Sequence, residues 1–349
     1  MMTQLQYVRV APITRMARRQ RRFAAQAACA LMALMALHGA AQAQAAPPPA
    51  DAVQMLADIQ QAARKQDYAG VFMYQQGEVI QSSRLVHVVD GTGERERLEI
   101  LDGQPREYLR HNDDVQCLVP EHKTVLLERR RGDRFPGLLL GDPADLTKHY
   151  AIRAEEKLHR VADRECRLIT IEPRDGLRYG YKLCADVKTN LLLKAQTFDP
   201  GRGVIEQVSF SSVRLGSDVD PAQLASRWNT RDWKVVEMAM KPVDLAEQGW
   251  RIPAPEGFRA VMQVARHIGK GTVSQVVLSD GLAAISVFIE PYDPERHQHP
   301  PAGLIQRGAI NIYGTRIADF WLTALGEVPV STLEQLAQGT EFVPTSAAK

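Results

Sequence analysis

The sequence lacks the short motifs that mark the common catalytic sites. It contains no Gly-x-Ser-x-Gly nucleophile elbow, no glycine-rich loop that would cradle a phosphate and no His-Glu-x-x-His zinc motif. Its histidines are scattered, and the pair His297-x-His299, which precedes two prolines, has no third ligand near it in the sequence. We therefore predict no catalytic residues, no metal site and no cofactor, and a hydrolase is disfavoured.

Cysteine is scarce as well. None of the four cysteines belongs to a Cys-x-x-Cys pair, which argues against a zinc ribbon or a thioredoxin-type site. Cys166 and Cys184 flank two apolar runs, and in a hairpin centred on Asp175 they lie opposite each other. This arrangement predicts a disulfide in an oxidising compartment; the alternative is two buried thiols on adjacent strands. Cys117 is predicted to be a buried core thiol in a strand over 115–119.

Long apolar runs are confined to the start of the chain. Five arginines within positions 15–22 precede an apolar run over 23–37, and small-x-small cleavage sites follow at 41–45. The pattern is typical of a secretory signal peptide over residues 1–45, because an apolar run of about 15 residues is short for a membrane span of roughly 20. An exported protein is expected, and an uncleaved membrane anchor is the alternative.

Charge gives no support for nucleic-acid binding. The whole chain has a net charge of +2, but residues 1–45 carry six arginines and no acidic residue, so that −4 remains once they are removed. The basic balance thus belongs to the discarded segment. We expect no nucleic-acid partner.

Short runs of β-branched and aromatic residues fill the stretch 70–120. They are separated by turn pairs at Gln76-Gly77, Asp90-Gly91, Asp102-Gly103 and Asn112-Asp113. This spacing predicts a meander of strands and turns that continues to about residue 128. The acidic residues of this stretch lie among arginines, which indicates cross-strand ion pairs at Glu96, Glu99 and Glu107.

The remaining elements complete two unequal domains of an α+β protein. Asp51 with Gln54 resembles a capping box that opens a helix over 51–66, and a second capping box over 331–334 predicts a closing helix. The pair Asp280-Gly281 marks a hairpin between runs at 275–278 and 284–290. The predicted order is a signal peptide over 1–45, a first domain over 46–215, a linker over 216–232, a second domain over 233–340 and a disordered tail over 341–349.

Distinctive motifs are spread along both predicted domains. The first domain contains Tyr74-x-x-Gly77, Arg84-x-x-His87, Glu96-Arg97 and Leu101-Asp102-Gly103-x-Pro105-Arg106-Glu107. The second contains Ser279-Asp280-Gly281-Leu282, Ser286-Val287-Phe288 and Gly326-Glu327-Val328-Pro329. In sequence and in order, over roughly residues 50–340, these motifs resemble the MucB/RseB family of regulators of the envelope-stress sigma factor sigma-E.

The resemblance implies a fold and a function. The fold would be a LolA-like half-barrel, that is, a large unclosed antiparallel sheet with helices on its concave face, followed by a smaller C-terminal α/β domain. The protein would be periplasmic and would bind the periplasmic segment of a membrane-bound, RseA/MucA-like anti-sigma factor, which it would shield from the stress protease. Lipopolysaccharide or the acyl chains of mislocalised lipoprotein would release that segment and so free sigma-E. A periplasmic lipid or lipoprotein carrier of the LolA type is the alternative.

A basic run followed by an apolar run offers candidates for lipid sensing. Arginine pairs well with phosphate, and acyl chains favour hydrocarbon surroundings. The predicted contacts to a phosphorylated lipid are Arg130, Arg131, Arg134, Phe135, Leu138, Leu139 and Leu140. The alternative is an ordinary buried segment over 135–140 that follows a solvated turn.

For the protein partner, the resemblance points to the second domain and to the cleft between the domains. The hairpin predicted at Asp280-Gly281 would offer a strand edge to which an extended peptide adds main-chain hydrogen bonds. The candidate contacts are Ser279, Asp280, Ser286 and Phe288. The alternative is that both strands of the hairpin are interior to a sheet.

Overall fold

Strands dominate the described part of the chain, and helices are few. The structure is a computed structural model, and it describes residues 50–129, 135–137, 141–237, 240–268, 271–297 and 303–344. The predicted signal peptide therefore lies outside the described residues. Within these ranges, no helix combines the length and the apolar character that a bilayer crossing requires.

A large sheet forms the first domain. Its strands are β1 Tyr68–Gln76, β2 Val79–Asp90, β3 Gly93–Ile100, β4 Arg106–His111, β5 Asp114–Val119, β6 Thr124–Arg129, β7 Tyr150–Val161, β8 Arg164–Pro173, β9 Gly180–Asp186, β10 Leu192–Asp199, β11 Gly203–Leu215 and β12 Lys234–Glu237. They are hydrogen-bonded in the order β12-β6-β5-β4-β3-β2-β1-β11-β10-β9-β8-β7. In the described chain the edge strands β7 and β12 do not pair with each other, so the large unclosed sheet expected from the sequence is confirmed. All of its pairings are antiparallel except that of β12 with β6.

The meander predicted from the turn pairs is confirmed. Strands β1 to β6 each pair antiparallel with the next strand along the chain. Several of the turns need a left-handed backbone, which Gly77 (φ 59°), Gly103 (φ 77°) and Asn112 (φ 53°) supply. Both residue types adopt this conformation at low cost, which is why such pairs punctuate the sequence so visibly.

Ion pairs cross the strands of the meander, as predicted. The Arg97 guanidinium donates to Glu107 at 2.6 Å and to Glu99 at 3.1 Å, and all three side chains are nearly excluded from water. Arg84 donates to Glu99 from the neighbouring strand at 2.8 Å. On β3 and β4, Arg110 pairs with Glu96 at 3.1 Å. The charged residues of the family-like motifs are thus part of the framework of the sheet.

The first helix, α1, runs over Ala50–Lys65 and packs on this sheet. Its apolar residues recur at helical spacing, and Leu56 and Ile59 are buried in one core with Ile169 and Leu183. The Arg64 and Lys65 side chains lie in its last turn, where positive charge suits the helix dipole. Because the helix begins at Ala50, the predicted capping box at position 51 is wrong: that residue lies inside the first turn.

A disulfide joins Cys166 to Cys184, the pair expected from the sequence. The predicted direct opposition of the two residues is wrong. Cys166 lies opposite Asp186 and Cys184 opposite Leu168, so the cysteines are diagonal neighbours with their Cα atoms 5.4 Å apart. The hairpin is therefore centred one residue later than expected. Cys117 lies in β5 as predicted, but it is half-buried and not a fully buried core residue.

The segment predicted as a linker packs against the first sheet. It contains two short 3-10 turns, Gly216–Asp218 and Pro221–Leu224, and its Val219 and Leu224 side chains are buried against Val86 of β2. Strand β12 then joins the first sheet through β6. The prediction that the second domain begins at residue 233 is therefore wrong, because β12 still belongs to the first sheet. Apolar side chains within a polar stretch hold the preceding segment on the first domain.

A smaller sheet forms the second domain. Its strands are β13 Met240–Pro242, β15 Arg259–Ile268, β16 Gly271–Ser279, β17 Ala284–Pro291, β18 Gly303–Arg307, β19 Ile310–Ile317 and β20 Phe320–Gly326, in the order β13-β15-β16-β17-β20-β19-β18. A two-stranded sheet pairs β14 Trp250–Arg251 with β21 Glu341–Phe342. The short helices are α2 Pro143–Leu146 and α3 Pro294–His297, and α4 Val330–Gly339 packs its Leu333 and Leu336 into the second core.

Two predictions for the end of the chain are wrong. Helix α4 begins after Pro329, which has no side chain able to cap it, and Thr332 donates its hydroxyl hydrogen to the Leu177 carbonyl of the first domain instead. The predicted tail over 341–349 is not disordered at its start, because Glu341 and Phe342 form β21. Residues 345–349 lie outside the described residues.

Candidate functional site

The hairpin between β16 and β17 inserts its tip into the first domain. Leu282 at this tip belongs to the same buried core as α1 and the first sheet. Gly281 has φ +99°, and a Cβ atom on the neighbouring Gly141 of the first domain would come within 3.0 Å of its Cα. Two glycines thus allow the backbones of the two domains to meet.

A buried cluster of charged residues surrounds this tip; we call it the interdomain ion pair. Arg178, in the loop between β8 and β9, donates to Asp280 at 2.8 Å and to Asp175 at 3.0 Å, and neither the Arg178 nor the Asp280 side chain is exposed to solvent. The Tyr150 hydroxyl donates to the same Asp280 carboxylate at 2.8 Å. The Glu256 carbonyl accepts a further hydrogen bond from the Arg178 guanidinium. A buried ion pair needs this many partners to offset its desolvation.

The electrostatics of the interdomain ion pair follow from these contacts. Burial alone would lower the pKa of Arg178, but the carboxylates of Asp175 and Asp280 outweigh it and raise that pKa. Burial and the Asp280 carboxylate raise the pKa of Tyr150. The Arg178 guanidinium therefore stays charged and the Tyr150 phenol stays neutral across the physiological range.

A second set of contacts joins the domains near α4. The Asn311 amide donates to the Tyr179 hydroxyl at 3.0 Å and to the Val328 carbonyl at 2.7 Å. Thr332 adds its hydrogen bond to Leu177 at 2.9 Å. Since Leu177, Arg178 and Tyr179 are consecutive, one loop of the first domain holds the second domain through three neighbouring residues.

Two of the predicted partner contacts lie inside this interface. Asp280 is committed to Arg178 and Tyr150 and, through its other oxygen, to the Leu282 and Ala283 amides. Ser279 is 2% exposed, and its hydroxyl donates to the Ala283 carbonyl. Asp280 therefore joins the two domains, Ser279 holds the turn of its own hairpin, and both residues are largely buried.

The predicted strand edge is absent from the hairpin. Strand β17 pairs with β16 on one side and with β20 on the other, and β16 also pairs with β15. Both runs are interior, so addition of a peptide strand at this position is wrong for the described sheet. Phe288 is half-buried with the Arg266 guanidinium over its ring at 5.5 Å, whereas Ser286 lies on the wall of a cavity.

This cavity lies between the two domains and measures about 310 Å³; we call it the interdomain cavity. Pockets that hold small ligands start at about this size. The walls are mostly apolar, and a few polar groups face into it. The lining includes Tyr181, Ala195, Glu206 and Val208 of the first sheet and Leu282, Ser286, Leu325 and Glu327 of the second domain.

Two carboxylates from different domains face this cavity. Burial, together with the charge of Glu206, raises the pKa of Glu327 to about 7. Burial and Glu206 also raise the pKa of Tyr74, which receives a hydrogen bond from Gln76 at 2.9 Å. Gln76 lies close against Gly308, and Glu206 accepts a bond from the Ala309 amide at 3.3 Å. The cavity thus gathers negative charge without a basic side chain among the causes of these shifts.

The Tyr181 hydroxyl adds an uncommitted polar group. The side chain is 5% exposed, and its oxygen makes no hydrogen bond to any described residue. Burial, followed by the charges around it, raises the pKa of Tyr181 well above the usual range. A buried hydroxyl without a partner costs about 1–3 kcal/mol, so a hydrogen-bonding group placed at this cavity wall would gain that much by satisfying it.

Of the lipid-sensing candidates, the structure describes Phe135 alone. Phe135 is half-buried, and its ring lies 5.4 Å from that of Phe72 and 5.1 Å from that of Phe210. The other candidates, Arg130, Arg131, Arg134, Leu138, Leu139 and Leu140, lie outside the described residues. Phe135 thus belongs to an aromatic cluster of the first domain.

Of the histidine pair considered as a metal site, His297 makes contacts within the fold. The His297 Nδ1 atom accepts a hydrogen bond from the Asp293 amide at 2.9 Å, and its ring stacks on Trp321 at 5.1 Å. His299 lies outside the described residues. Among the residues that the structure describes, no three His, Cys, Asp or Glu side chains are grouped to hold a metal ion.

Sequence reasoning did not select Tyr181, Glu206 or Glu327. One signal was present: Glu327 belongs to the Gly326-Glu327-Val328-Pro329 motif that supported the family resemblance. Tyr181 and Glu206 lie in ordinary alternating strands, and nothing in the local sequence distinguishes them from framework residues.

Two β domains share a buried ion pair and enclose a cavity of about 310 Å³, so the described chain is a two-domain β protein with an interdomain cavity. The family profile of the MucB/RseB N-terminal domain matches residues 51–228, and that of the MucB/RseB C-terminal domain matches residues 244–341. The chain belongs to the MucB/RseB family.

Named relatives carry regulatory descriptions. The chain is 28% identical over 310 residues to the sigma factor AlgU regulatory protein MucB of Pseudomonas aeruginosa, covering 86% of this chain and 94% of the relative. It is 24% identical over 293 residues to the sigma-E factor regulatory protein RseB of Haemophilus influenzae, covering 83% and 91%.

Solved structures agree with this assignment. The MucA/MucB complex of Pseudomonas aeruginosa matches with a TM-score of 0.66 at 26% identity, covering 85% of this chain and all of that chain. A crystal structure of MucB in complex with MucA(peri) matches with a TM-score of 0.65 at 26% identity, covering 84% and 100%. Both domains of the fold are therefore shared with a protein solved together with a partner.

Proposed function

We propose that this protein is a periplasmic negative regulator that acts by binding and not by catalysis. It binds the periplasmic segment of a membrane-bound anti-sigma factor in and around the interdomain cavity, and it shields that segment from the stress protease. Sigma-E is thereby restrained. The observation that carries the proposal is the match over both domains to MucB, which has been solved in complex with MucA(peri).

The arrangement of the domains supports this role. The interdomain ion pair and the Asn311 contacts hold both walls of the cavity in place. A preformed site loses less conformational entropy when it binds an extended segment than a site that must first assemble. The export signal predicted over residues 1–45 supports a location on the same side of the membrane as that segment.

Protease protection tests the proposal. The periplasmic segment of the anti-sigma factor from the same organism is digested by the stress protease with and without the exported chain. At a regulator concentration ten times the Kd, about nine-tenths of the segment is bound, so its first cut should slow about tenfold. Two results would contradict the function: no binding of the segment, or unchanged cleavage at a regulator concentration far above the Kd.

Release by lipid is the second part of the proposal. Lipopolysaccharide or lipoprotein acyl chains would bind a state that holds the anti-sigma segment less tightly, and by linkage each ligand then weakens the other. The basic and apolar run over 130–140 suits a phosphorylated lipid, and Phe135 at its centre lies in an aromatic cluster. Acylated lipopolysaccharide should restore cleavage, whereas its deacylated form should not.

A double substitution separates lipid sensing from partner binding. Leu138→Ser with Leu139→Ser should leave protection intact and abolish its reversal by lipopolysaccharide. Reversal equal to that of the unaltered chain would contradict the assignment of this run. We do not favour the alternative of a lipid carrier, because α1 and the phenylalanine cluster already pack on the first sheet.

A further inference from the structure

The interdomain cavity has the chemistry of a receptor for one positively charged side chain. We propose that it binds a single lysine or arginine of the extended anti-sigma segment, with the charged end between Glu206 and Glu327 and the aliphatic stem along the apolar walls. This inference rests on the proposed function and names the chemistry of the group that the cavity recognises.

Charge complementarity carries the first step. Glu206 on β11 and Glu327 after β20 contribute carboxyl groups from two domains, and among the described residues burial and the charge of Glu206 raise the pKa of Glu327. The other titratable groups that interact with Glu327 are the phenols of Tyr74 on β1 and Tyr181 on β9, which are neutral. A cation placed between the carboxylates would relieve their repulsion and favour ionised Glu327.

The unpartnered Tyr181 hydroxyl is an independent sign of a ligand. It is buried at the cavity wall and has no hydrogen-bond partner among the described residues. Phenol oxygens accept hydrogen bonds from ammonium and guanidinium groups, so a basic side chain would satisfy it. The Tyr181 hydroxyl and the two carboxylates together supply three acceptor groups for the several donors of either cation.

The shape of the cavity suits the stem of such a side chain. Ala195, Val208 and Leu325 contribute apolar surface to walls that are otherwise polar only at a few points. Lysine and arginine bury their methylene groups along apolar surface while their charged ends find polar partners. A free metal ion is a poorer fit, because the cavity offers two carboxylates and no grouped third ligand among the described residues.

The first experiment uses the exported chain and a series of anti-sigma segments in which each lysine and arginine is replaced in turn by methionine. One position should weaken binding about tenfold or more, since it removes one partner of a buried charge pair. When the same replaced segment binds the Glu327→Gln variant, its affinity should fall little further, because both changes remove the same interaction. Tyr181→Phe should also weaken binding of the unaltered segment. The control for Glu327→Gln is Glu247→Gln, which removes the same charge from an exposed position.

The pH profile gives a readout that a structural role would not move. Because ionised Glu327 attracts the cation, affinity of the unaltered chain for the segment should rise from pH 6 to pH 8, around the pKa of about 7. Glu327→Gln should flatten this rise. Circular dichroism of each variant verifies its fold, and Glu206→Gln serves in place of any variant that fails to fold.

Failure of the inference is distinguishable from failure of the function. A segment that binds, with no basic position coupled to Glu327 and no pH dependence, overturns the cavity assignment and leaves the regulator intact. A segment that does not bind contradicts the proposed function. In that case n-butylammonium, with n-butanol as the uncharged control, tests the cavity alone: the ammonium should lower the pKa of Glu327 measured by carbon NMR, and an unchanged pKa overturns the inference.

Discussion

The two domains meet at two places whose chemistry is opposite. At the interdomain ion pair, the Arg178 and Asp280 side chains are fully buried and carry opposite charges, and each hydrogen-bonds to further neighbours. At the interdomain cavity, two carboxyl groups, Glu206 and Glu327, line the same space, and the Tyr181 hydroxyl has no partner among the described residues. At the first place the buried groups find partners within the fold; at the second they do not.

The difference teaches where to look for function. Natural sequences satisfy local rules nearly everywhere, and the violations tend to mark functional or strained sites. A complete cluster such as the ion pair explains its own retention through stability. A cavity that holds like charges and an unpaired hydroxyl has no such explanation until a ligand is added.

The largest expected effect comes from breaking the ion pair. Asp280→Asn removes the carboxylate and leaves the Arg178 guanidinium buried without its counter-charge, which should lower the free energy of unfolding by about 3–5 kcal/mol. Urea denaturation at pH 7 measures this. Arg251→Gln removes the loose, exposed pair with Glu341, 3.9 Å apart, and should change stability by about 0.5 kcal/mol or less. Equal losses in the two variants would show that the ion pair adds nothing special.

Removing a carboxyl group from the interdomain cavity should raise the free energy of unfolding, in contrast to breaking the ion pair. Since the pKa of Glu327 is raised from 4.5 to about 7, the folded protein binds more protons than the unfolded chain between these values, and stability falls as pH rises through this window. Glu327→Gln removes that loss. It should stabilise the protein by at most about 3 kcal/mol at pH 8 and by little near pH 4.5. A variant equally or less stable than the unaltered chain at pH 8 would contradict the raised pKa.

Replacing one buried tyrosine at each place should give smaller changes in stability that differ between the two places. Tyr150→Phe removes the hydrogen bond to the Asp280 carboxylate and should cost about 2 kcal/mol. Tyr181→Phe removes an unpartnered hydroxyl and should leave stability unchanged or raise it by about 1 kcal/mol. Thermal unfolding of the two variants side by side gives the sign of each change. Losses of the same size would mean that the Tyr181 hydroxyl is satisfied in the folded protein.

Much of the architecture could be predicted from the sequence, because local signals determine it. Turn pairs such as Asp102-Gly103 fixed the meander, and Cys166 and Cys184 lie on adjacent strands whatever the exact register. The capping box over 331–334 failed because Pro329 starts the helix and Thr332 finds a distant partner. The linker failed because Val219 and Leu224, two apolar residues in a polar stretch, are buried on β2.

The site was harder to predict than the fold for a physical reason. Arg178 and Asp280 are 102 positions apart in the chain, and Glu206 and Glu327 come from different domains, so no local pattern links them. Within the Ser279-Asp280-Gly281-Leu282 motif, the Asp280 and Leu282 side chains contact the first domain. Sequence alone finds such residues without saying which of them face a partner.

Protease protection with paired variants tests the central claim most directly. The claim is that the anti-sigma segment is held at the interdomain cavity. The unaltered chain and the exposed control Glu247→Gln should slow the first cut of the segment to the same extent, whereas Glu206→Gln combined with Glu327→Gln should lose that protection at the same concentration. Full protection by the folded double variant would contradict the claim.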